Sequence, residues 1–143
     1  MECHKEHSEG SEIGRDPLTH KVIGCAMEVH RYLGPGLLES AYEQCLAREL
    51  ALAQIQFRFQ IHMPIAYKGC KLDCGYRIDF LVADKLIVEL KAVEQILGIH
   101  EAQLITYMRL AAVPSRLLIN FNVKVLKHGI RRLFPSPLSP PSL

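Results

Sequence analysis

The sequence predicts a single domain of mixed α/β class. Apolar residues recur every three to four positions near the start, alternate with polar residues in the middle, and later return to the helical spacing. The length of 143 residues is enough for one domain with a buried core. The composition is 49% hydrophobic and 22% charged, which is ordinary for a globular protein.

Two helices are predicted first. One begins at Pro17, because proline is favoured in a first helical turn, and Gly34-Pro35-Gly36 ends it. The other runs from about Leu37 to Ala53, so the two are expected to pack as a helical hairpin. The spacing assigns buried faces to both: Leu18, Val22, Cys25, Val29 and Tyr32 on the first, and Leu38, Ala41, Tyr42, Cys45, Leu46 and Leu50 on the second.

Strands follow where the period changes to two. Residues 56–67 alternate in polarity and predict a strand, after which Lys68-Gly69-Cys70 predicts a turn into the segment GYRIDFLVADKLIVELKA at 75–92. A third helix is predicted from Gly98 to Ala112. A further strand is predicted from Arg116 to Phe121, and residues 123–134 could add one or two more.

The ends of the chain lack this patterning. We expect residues 1–16 to be a disordered N-terminal arm, residues 17–134 to form the domain, and the proline-rich residues 135–143 to be a disordered C-terminal tail. The polar start argues against a secretory signal, and no apolar run is long enough to predict a transmembrane helix. Five cysteines without a C-x-x-C pair predict a reducing, cytoplasmic location and no membrane partner.

The segment 75–92 predicts a strand hairpin whose register can be argued. If Ala83-Asp84-Lys85 is a three-residue loop, one face carries only apolar pairs: Val82 with Leu86, Phe80 with Val88, Ile78 with Leu90, and Tyr76 with Ala92. The other face then pairs Asp79 with Glu89 and Arg77 with Lys91. A loop of two or four residues would scramble both faces, so the pattern favours three.

Two carboxylates at cross-strand positions repel each other unless something neutralises them. A divalent cation between Asp79 and Glu89 would remove the repulsion, and Arg77 with Lys91 would place a cationic pair beside it for a phosphate. The alternative is a solvated network of the four charges on a half-exposed hairpin. Register alone leaves both interpretations open.

Four ordered motifs resemble the PD-(D/E)XK nuclease superfamily. Asp79, followed after nine residues by Glu89-Leu90-Lys91, matches the D…E-x-K signature. Gly36-Leu-Leu-Glu39-Ser-Ala-Tyr42 matches the motif of the GxxExxY proteins, a branch of that fold. His100-Glu-Ala-Gln103-Leu-Ile-Thr-Tyr107 resembles a Q-x-x-x-Y element, and LLINFN at 117–122 resembles the strand that follows it.

The resemblance, which covers about residues 17–134, implies a restriction-endonuclease-like core: a mixed sheet flanked by helices and preceded by the helical hairpin. It implies that Asp79 and Glu89 bind Mg²⁺ or Mn²⁺ with help from the carbonyl of Leu90. Lys91 would orient the attacking water or stabilise charge on the phosphate. Glu39 would complete the metal site, although a carboxylate in a first helical turn is also explained by the helix dipole.

The third helix supplies further candidates. The resemblance implies that Gln103 acts with the catalytic set and that His100 and Tyr107 contact substrate, as Arg77 would. A polar edge of an amphipathic helix explains Gln103 and Tyr107 equally well. Tyr42, on the apolar stripe of the second helix, is predicted to be a core residue.

These observations predict a Mg²⁺-dependent nuclease that hydrolyses phosphodiester bonds in nucleic acid, with DNA favoured over RNA. The rival prediction is a non-catalytic nucleic-acid- or protein-binding module that keeps the fold. Because the net charge is only +2, nucleic acid would have to be held by a local site. Specific cleavage by so small a domain would need a homodimer or a partner. A zinc site at Cys70 and Cys74 has the wrong spacing for common patterns.

Overall fold

A computed structural model describes residues 16–111, 113 and 115–133, with only the backbone for residues 74–76, 107, 110 and 111. The expected N-terminal arm and C-terminal tail therefore lie almost wholly outside the described residues. The elements, in chain order, are α1 (Pro17–Leu33), α2 (Glu39–Leu52), β1 (Phe57–Tyr67), β2 (Cys70–Val82), β3 (Leu86–Lys91), α3 (Gly98–Ala111), β4 (Ser115–Asn120), a 3₁₀ helix (Leu126–Gly129) and β5 (Ile130–Leu133). The predicted mixed α/β class is confirmed.

Helix α1 begins at an Asp16 cap. The Asp16 carboxylate accepts hydrogen bonds from the Leu18 amide at 3.1 Å and the Thr19 hydroxyl at 2.7 Å, and it pairs with Arg132 of β5 at 2.9 Å. These contacts lower the pKa of Asp16 against the effect of its partial burial. The capping residue therefore joins the start of the helical hairpin to the last strand of the sheet.

The two helices pack together as predicted, with two errors in their predicted faces. Tyr32 is 79% exposed, because Val22, Ala26 and Val29 define a face about a quarter turn away from it. Leu38 is 77% exposed, because it precedes the first residue of α2 and its backbone is extended. The remaining predicted positions are buried or half-buried.

The sheet has five strands in the order β1-β2-β3-β4-β5. All neighbours are antiparallel except β3 and β4, which run parallel because α3 connects them. The predicted three-residue loop is confirmed, since Val82 pairs with Leu86 and Phe80 with Val88. Helices α1 and α2 cover one face of the sheet through a large apolar cluster, and α3 covers the other through Leu104 and Met108. None of the described helices has the length and apolar character to span a bilayer.

The predicted assignment of side chains to the two faces of the β2–β3 hairpin is correct only from Val82 to Phe80. The backbone ladder between β2 and β3 ends at the Phe80–Val88 pair, and Ile78 packs in the α3-side cluster instead of beside Phe80 and Leu90. The cause is visible on β1, where Gln60, opposite Asp79, has a left-handed backbone with φ of 53°. This irregularity breaks the alternation of faces, so the prediction that Ile78 pairs with Leu90 is wrong.

The segment after β4 returns closely over the sheet. Gly129, the last residue of the 3₁₀ helix, lies so near the Asn120 carbonyl that a Cβ at this position would overlap the oxygen. His30 of α1 reaches the same segment and bonds the Val123 carbonyl through Nε2 at 2.7 Å. The carboxyl end of β4, next to that of β3, is thereby fixed.

Candidate active site

The two carboxylates predicted as neighbours are joined directly. The Asp79 amide donates to Glu89 Oε1 at 2.9 Å, and the Leu90 amide donates to Asp79 Oδ2 at 2.8 Å. Each side chain thus accepts a backbone hydrogen bond across the point where the β2–β3 ladder has stopped. One oxygen of each carboxylate is used in this way. Both side chains are buried, with Asp79 7% and Glu89 6% exposed.

A third acid, Glu43, closes the site from α2. It is 5% exposed and accepts a hydrogen bond from Gln60 Nε2 at 3.2 Å, and it also shares a hydrogen bond with Asp79. Gln60 is the residue whose left-handed backbone breaks the strand pairing. The local irregularity of β1 therefore turns an amide toward the acids.

Asp79 and Glu89 hold protons more tightly than ordinary carboxylates. Burial, followed by the charge of Glu89 and the hydrogen bond to Glu43, raises the pKa of Asp79 to about 8. Burial is also the main cause that raises the pKa of Glu89 to about 7, and the charges of Glu39 and Glu43 raise it further. Near neutral pH the group therefore carries less negative charge than its carboxylates would in water.

Lys91 opposes this effect. It follows Glu89 by two residues at the end of β3, is half-buried, and its positive charge lowers the pKa of Glu89. The strand end is fixed from the neighbouring strand, because Lys91 pairs with Asn120 and its carbonyl accepts the Phe121 amide at 2.9 Å. A cation is thus held next to buried acids on a rigid strand.

A family model of the PD-(D/E)XK nuclease superfamily matches residues 16–133. The chain belongs to this superfamily. No curated protein and no solved structure matches it. The superfamily assignment agrees with the mixed sheet, the flanking helices and the preceding helical hairpin, so the predicted PD-(D/E)XK fold is confirmed.

Superfamily nucleases generally use divalent metals, and the question for this chain is whether its donor set can hold one. Carboxylate oxygens are the ligands Mg²⁺ prefers, and Mg²⁺ commonly uses one or two of them with waters and phosphate oxygens. The carboxylates of Asp79 and Glu89 match that need, and a cation would offset the burial and repulsion that raise their pKa values. Among the described residues, no group of three or more His, Cys, Asp or Glu side chains is arranged to hold a metal. The pair fits Mg²⁺ as a two-carboxylate site.

The other predicted residues of this superfamily member are Gln103, His100, Arg77 and Tyr107. Gln103 is exposed on α3, and no hydrogen bond joins it to Asp79 or Glu89 among the described residues. The His100 ring accepts the Leu97 amide through Nδ1 at 3.0 Å, so it caps the start of α3. Arg77 is exposed on β2 opposite His62. The side chain of Tyr107 lies outside the described part of the chain.

Two functional positions escaped prediction. Glu43 follows Glu39 by four residues, a spacing that places both on one helix face and could have pointed to it. Asn120, at the end of β4, donates to the Val93 carbonyl at 2.8 Å and accepts the Val93 amide at 3.0 Å. It thereby ties down the chain just beyond Lys91. The signal for Asn120 is a buried amide at the end of an apolar strand, which needs the parallel β3–β4 pairing to be interpreted.

The glycine and tyrosine of the G-x-x-E-x-x-Y segment shape the loop before Glu39. Gly36 has φ of 99°, which a side chain would strain. The Tyr42 hydroxyl donates to the Gly34 carbonyl at 2.6 Å and accepts the Leu37 amide at 3.1 Å, while its ring stacks on Phe121 at 4.5 Å. Tyr42 is buried, as predicted, and holds the turn that leads into α2.

We expect Tyr42→Phe to lower the free energy of unfolding by about 1–3 kcal/mol, because two hydrogen bonds are lost while the ring stack stays. Urea unfolding measures the change. Tyr32→Phe, at an exposed tyrosine of the neighbouring helix, is the matched control and should change stability little. Equal stability of the Tyr42→Phe and wild-type proteins would show that the loop does not depend on this hydroxyl.

Proposed function

We propose that the chain is a divalent-metal-dependent nuclease that hydrolyses phosphodiester bonds in nucleic acid, with Mg²⁺ or Mn²⁺ held by Asp79 and Glu89. The observation that carries the proposal is the buried, interlocked carboxylate pair with the Lys91 charge beside it. Superfamily membership supports the same reaction class. A cation held at this point supplies Lewis-acid polarisation of the phosphate.

The other catalytic functions come from groups of the chain itself. The Asp79 and Glu89 carboxylates are positioned by each other's strands, so both are fixed before substrate arrives. Lys91 orients the attacking water or stabilises the charge that builds on the phosphate. The carbonyl of Leu90 and the carboxylate of Glu39 would complete the metal-binding set when a cation is bound. Glu43 supports Asp79 from α2 through their hydrogen bond.

The same proposal covers the branch of the superfamily, the substrate, the oligomeric state, the location and the roles of the remaining residues. The Gly36, Glu39 and Tyr42 positions support membership of the GxxExxY proteins. The substrate is nucleic acid, DNA rather than RNA, and a homodimer would extend the footprint of a single domain. The free Cys25, Cys45 and Cys70 thiols support a reducing cytoplasm. Gln103, His100, Arg77 and Tyr107 keep their proposed roles toward catalysis and substrate.

A cleavage assay tests the proposal. Labelled single- and double-stranded DNA and RNA are incubated with the full chain and Mg²⁺ or Mn²⁺, with EDTA as the negative control. Metal-dependent shortening of at least one substrate supports the nuclease. The rival is a non-catalytic binding module, which the absence of a three-ligand metal group among the described residues favours. Binding without cleavage under every metal condition would establish the rival.

The role of Glu39 has its own test. Its charge acts on Glu89 from the first turn of α2, so Glu39→Gln should weaken Mn²⁺ binding about tenfold with little loss of stability. Glu49→Gln, near the other end of the same helix, is the control. Isothermal titration with Mn²⁺ measures both. Unchanged affinity in Glu39→Gln would leave Glu39 as a residue favoured by the helix dipole alone.

A further inference from the structure

The β1–β2 hairpin continues well beyond the sheet. Strand β2 pairs with β3 only from Phe80 to Val82, whereas its pairing with β1 extends to the turn between Tyr67 and Cys70. Residues 61–78, here called the arm, therefore form a two-stranded ribbon in which β2 pairs with β1 but not with β3. We propose that this arm binds duplex DNA in the major groove; the proposal rests on the nuclease function and names its substrate class.

The charge of the arm differs from that of the rest of the chain. It contains three cations, Lys68, Lys71 and Arg77, against the single carboxylate Asp73. None of the three cations forms an ion pair among the described residues. The net charge of the arm is therefore +2, equal to that of the whole chain. Clustered cations on a protruding element are the electrostatic footprint expected of nucleic-acid binding.

The polar face of the arm runs into the candidate active site. Ile61, Met63 and Ile78 pack in the α3-side cluster. The alternating positions His62 and Arg77, which pair across the strands, therefore face the other way and are exposed. Arg77 precedes Asp79 by two residues, or about 7 Å along the strand. A phosphate backbone lying on this face would lead directly to the acids.

The shape of the arm selects a duplex. Paired strands lie about 4.8 Å apart, and the major groove of B-DNA, about 12 Å wide, admits a two-stranded ribbon. The major groove of A-form RNA is too narrow for one. Lys71 lies eight residues before Asp79, about 26 Å along an extended strand, which corresponds to about eight base pairs at 3.4 Å each. The arm thus reaches most of one helical turn from the site.

Exposed apolar groups at the tip suit the same partner. Tyr67 and Leu72 are exposed, and the Lys68 ammonium lies 5.4 Å from the centroid of the Tyr67 ring. A hairpin tip with exposed aromatic and aliphatic side chains can contact base edges and thymine methyl groups, while the lysines contact phosphates. The arm therefore offers both kinds of contact at one end.

The test measures binding separately from cleavage. Fluorescence anisotropy with a labelled 20-base-pair DNA duplex, in EDTA and over a range of salt concentrations, compares wild type with Lys68→Ala/Lys71→Ala. We expect the double variant to bind at least tenfold more weakly at low salt, and the slope of log K against log salt to fall by about 2. Duplex RNA of the same sequence should bind weakly and equally to both proteins.

Lys21→Ala/Lys85→Ala is the matched control. These exposed lysines border a cleft at the Ala83–Lys85 turn, at the opposite end of β3 from Lys91, and their loss should leave DNA affinity unchanged. Equal weakening by both double variants, or an unchanged arm variant, would overturn the proposal. So would a wild-type dimer that the arm variant converts to a monomer, since the arm would then bind protein. Cleavage that does not depend on the arm would sink this proposal and leave the nuclease standing. Arm-dependent binding without cleavage would support this proposal and contradict the nuclease function.

Discussion

Lys91→Ala is expected to lower the rate of metal-dependent cleavage by about 10²–10³-fold while the protein stays folded. Removing one preorganised group that stabilises transition-state charge typically costs this much. Lys91 is half-buried beside Glu89, where its charge is screened less than on an open surface. Its loss should therefore be felt in turnover more than in stability. Single-turnover cleavage with saturating Mg²⁺ measures the effect.

The control is Lys85→Ala, at the opposite end of β3, which should cleave at the wild-type rate. Lys91→Ala should also keep the rise in melting temperature that Mn²⁺ gives, because the carboxylates remain. A variant that loses this rise together with cleavage would indicate a lysine needed to build the metal site. Cleavage by Lys91→Ala at the wild-type rate would contradict the assigned role.

The order of elements and the hairpin loop could be predicted because each rests on a local signal. Helical spacing, the Gly34–Gly36 break and period-two alternation located the elements within a few residues. The loop at Ala83–Lys85 followed from the requirement that apolar residues face each other. Local patterns of this kind do not depend on knowing what packs against the strands.

The arrangement beyond Phe80 could not be predicted, because it depends on a partner strand and a helix distant in sequence. Nothing in the hairpin shows that Gln60 adopts a left-handed backbone or that Glu43 bonds Asp79. Cross-strand logic placed the acids side by side but assumed a continuous ladder. In the structure the carboxylates instead bind the amides of Asp79 and Leu90.

The residues of the G-x-x-E-x-x-Y motif also have different roles, which the sequence alone does not reveal. Tyr42 and Gly36 lie in one sequence motif with Glu39, yet the first two fix a loop while the charge of the third acts on Glu89. Spacing in a sequence does not distinguish a residue that holds a backbone from one that meets a ligand. The stacked Phe121 ring and the bonded Gly34 carbonyl make that distinction for Tyr42.

Asp79→Asn is expected to stabilise the metal-free protein and to abolish most of its response to metal. The pKa of Asp79 is raised to about 8 and that of Glu89 to about 7. The folded state therefore binds more protons than the unfolded state from about pH 4 to 8. The free energy of unfolding of the metal-free wild type should fall by several kcal/mol as the pH rises through this window.

Asparagine removes one of the two repelling charges but keeps an oxygen that can accept the Leu90 amide. The variant should therefore lose much of the decline with pH, and at pH 8 without metal it should melt at or above the wild-type temperature. Asp84→Asn, in the exposed β2–β3 turn, is the control and should behave as wild type. A wild-type protein whose stability does not decline between pH 5 and 8 would show that the acids are not coupled as inferred.

Metal gives the opposite result for the two proteins. A cation that binds only the folded state stabilises it by about 2.7 kcal/mol at a hundredfold excess over the dissociation constant. Wild type should gain most of this with Mn²⁺ at pH 8, where Glu89 is largely charged and Asp79 is about half charged, and lose the gain at pH 5, where protons occupy the site. Asp79→Asn should gain almost nothing at either pH, as thermal melts with and without Mn²⁺ would record. If wild type also shows no shift at pH 8, the pair holds no metal, and the non-catalytic module becomes the better account of the chain.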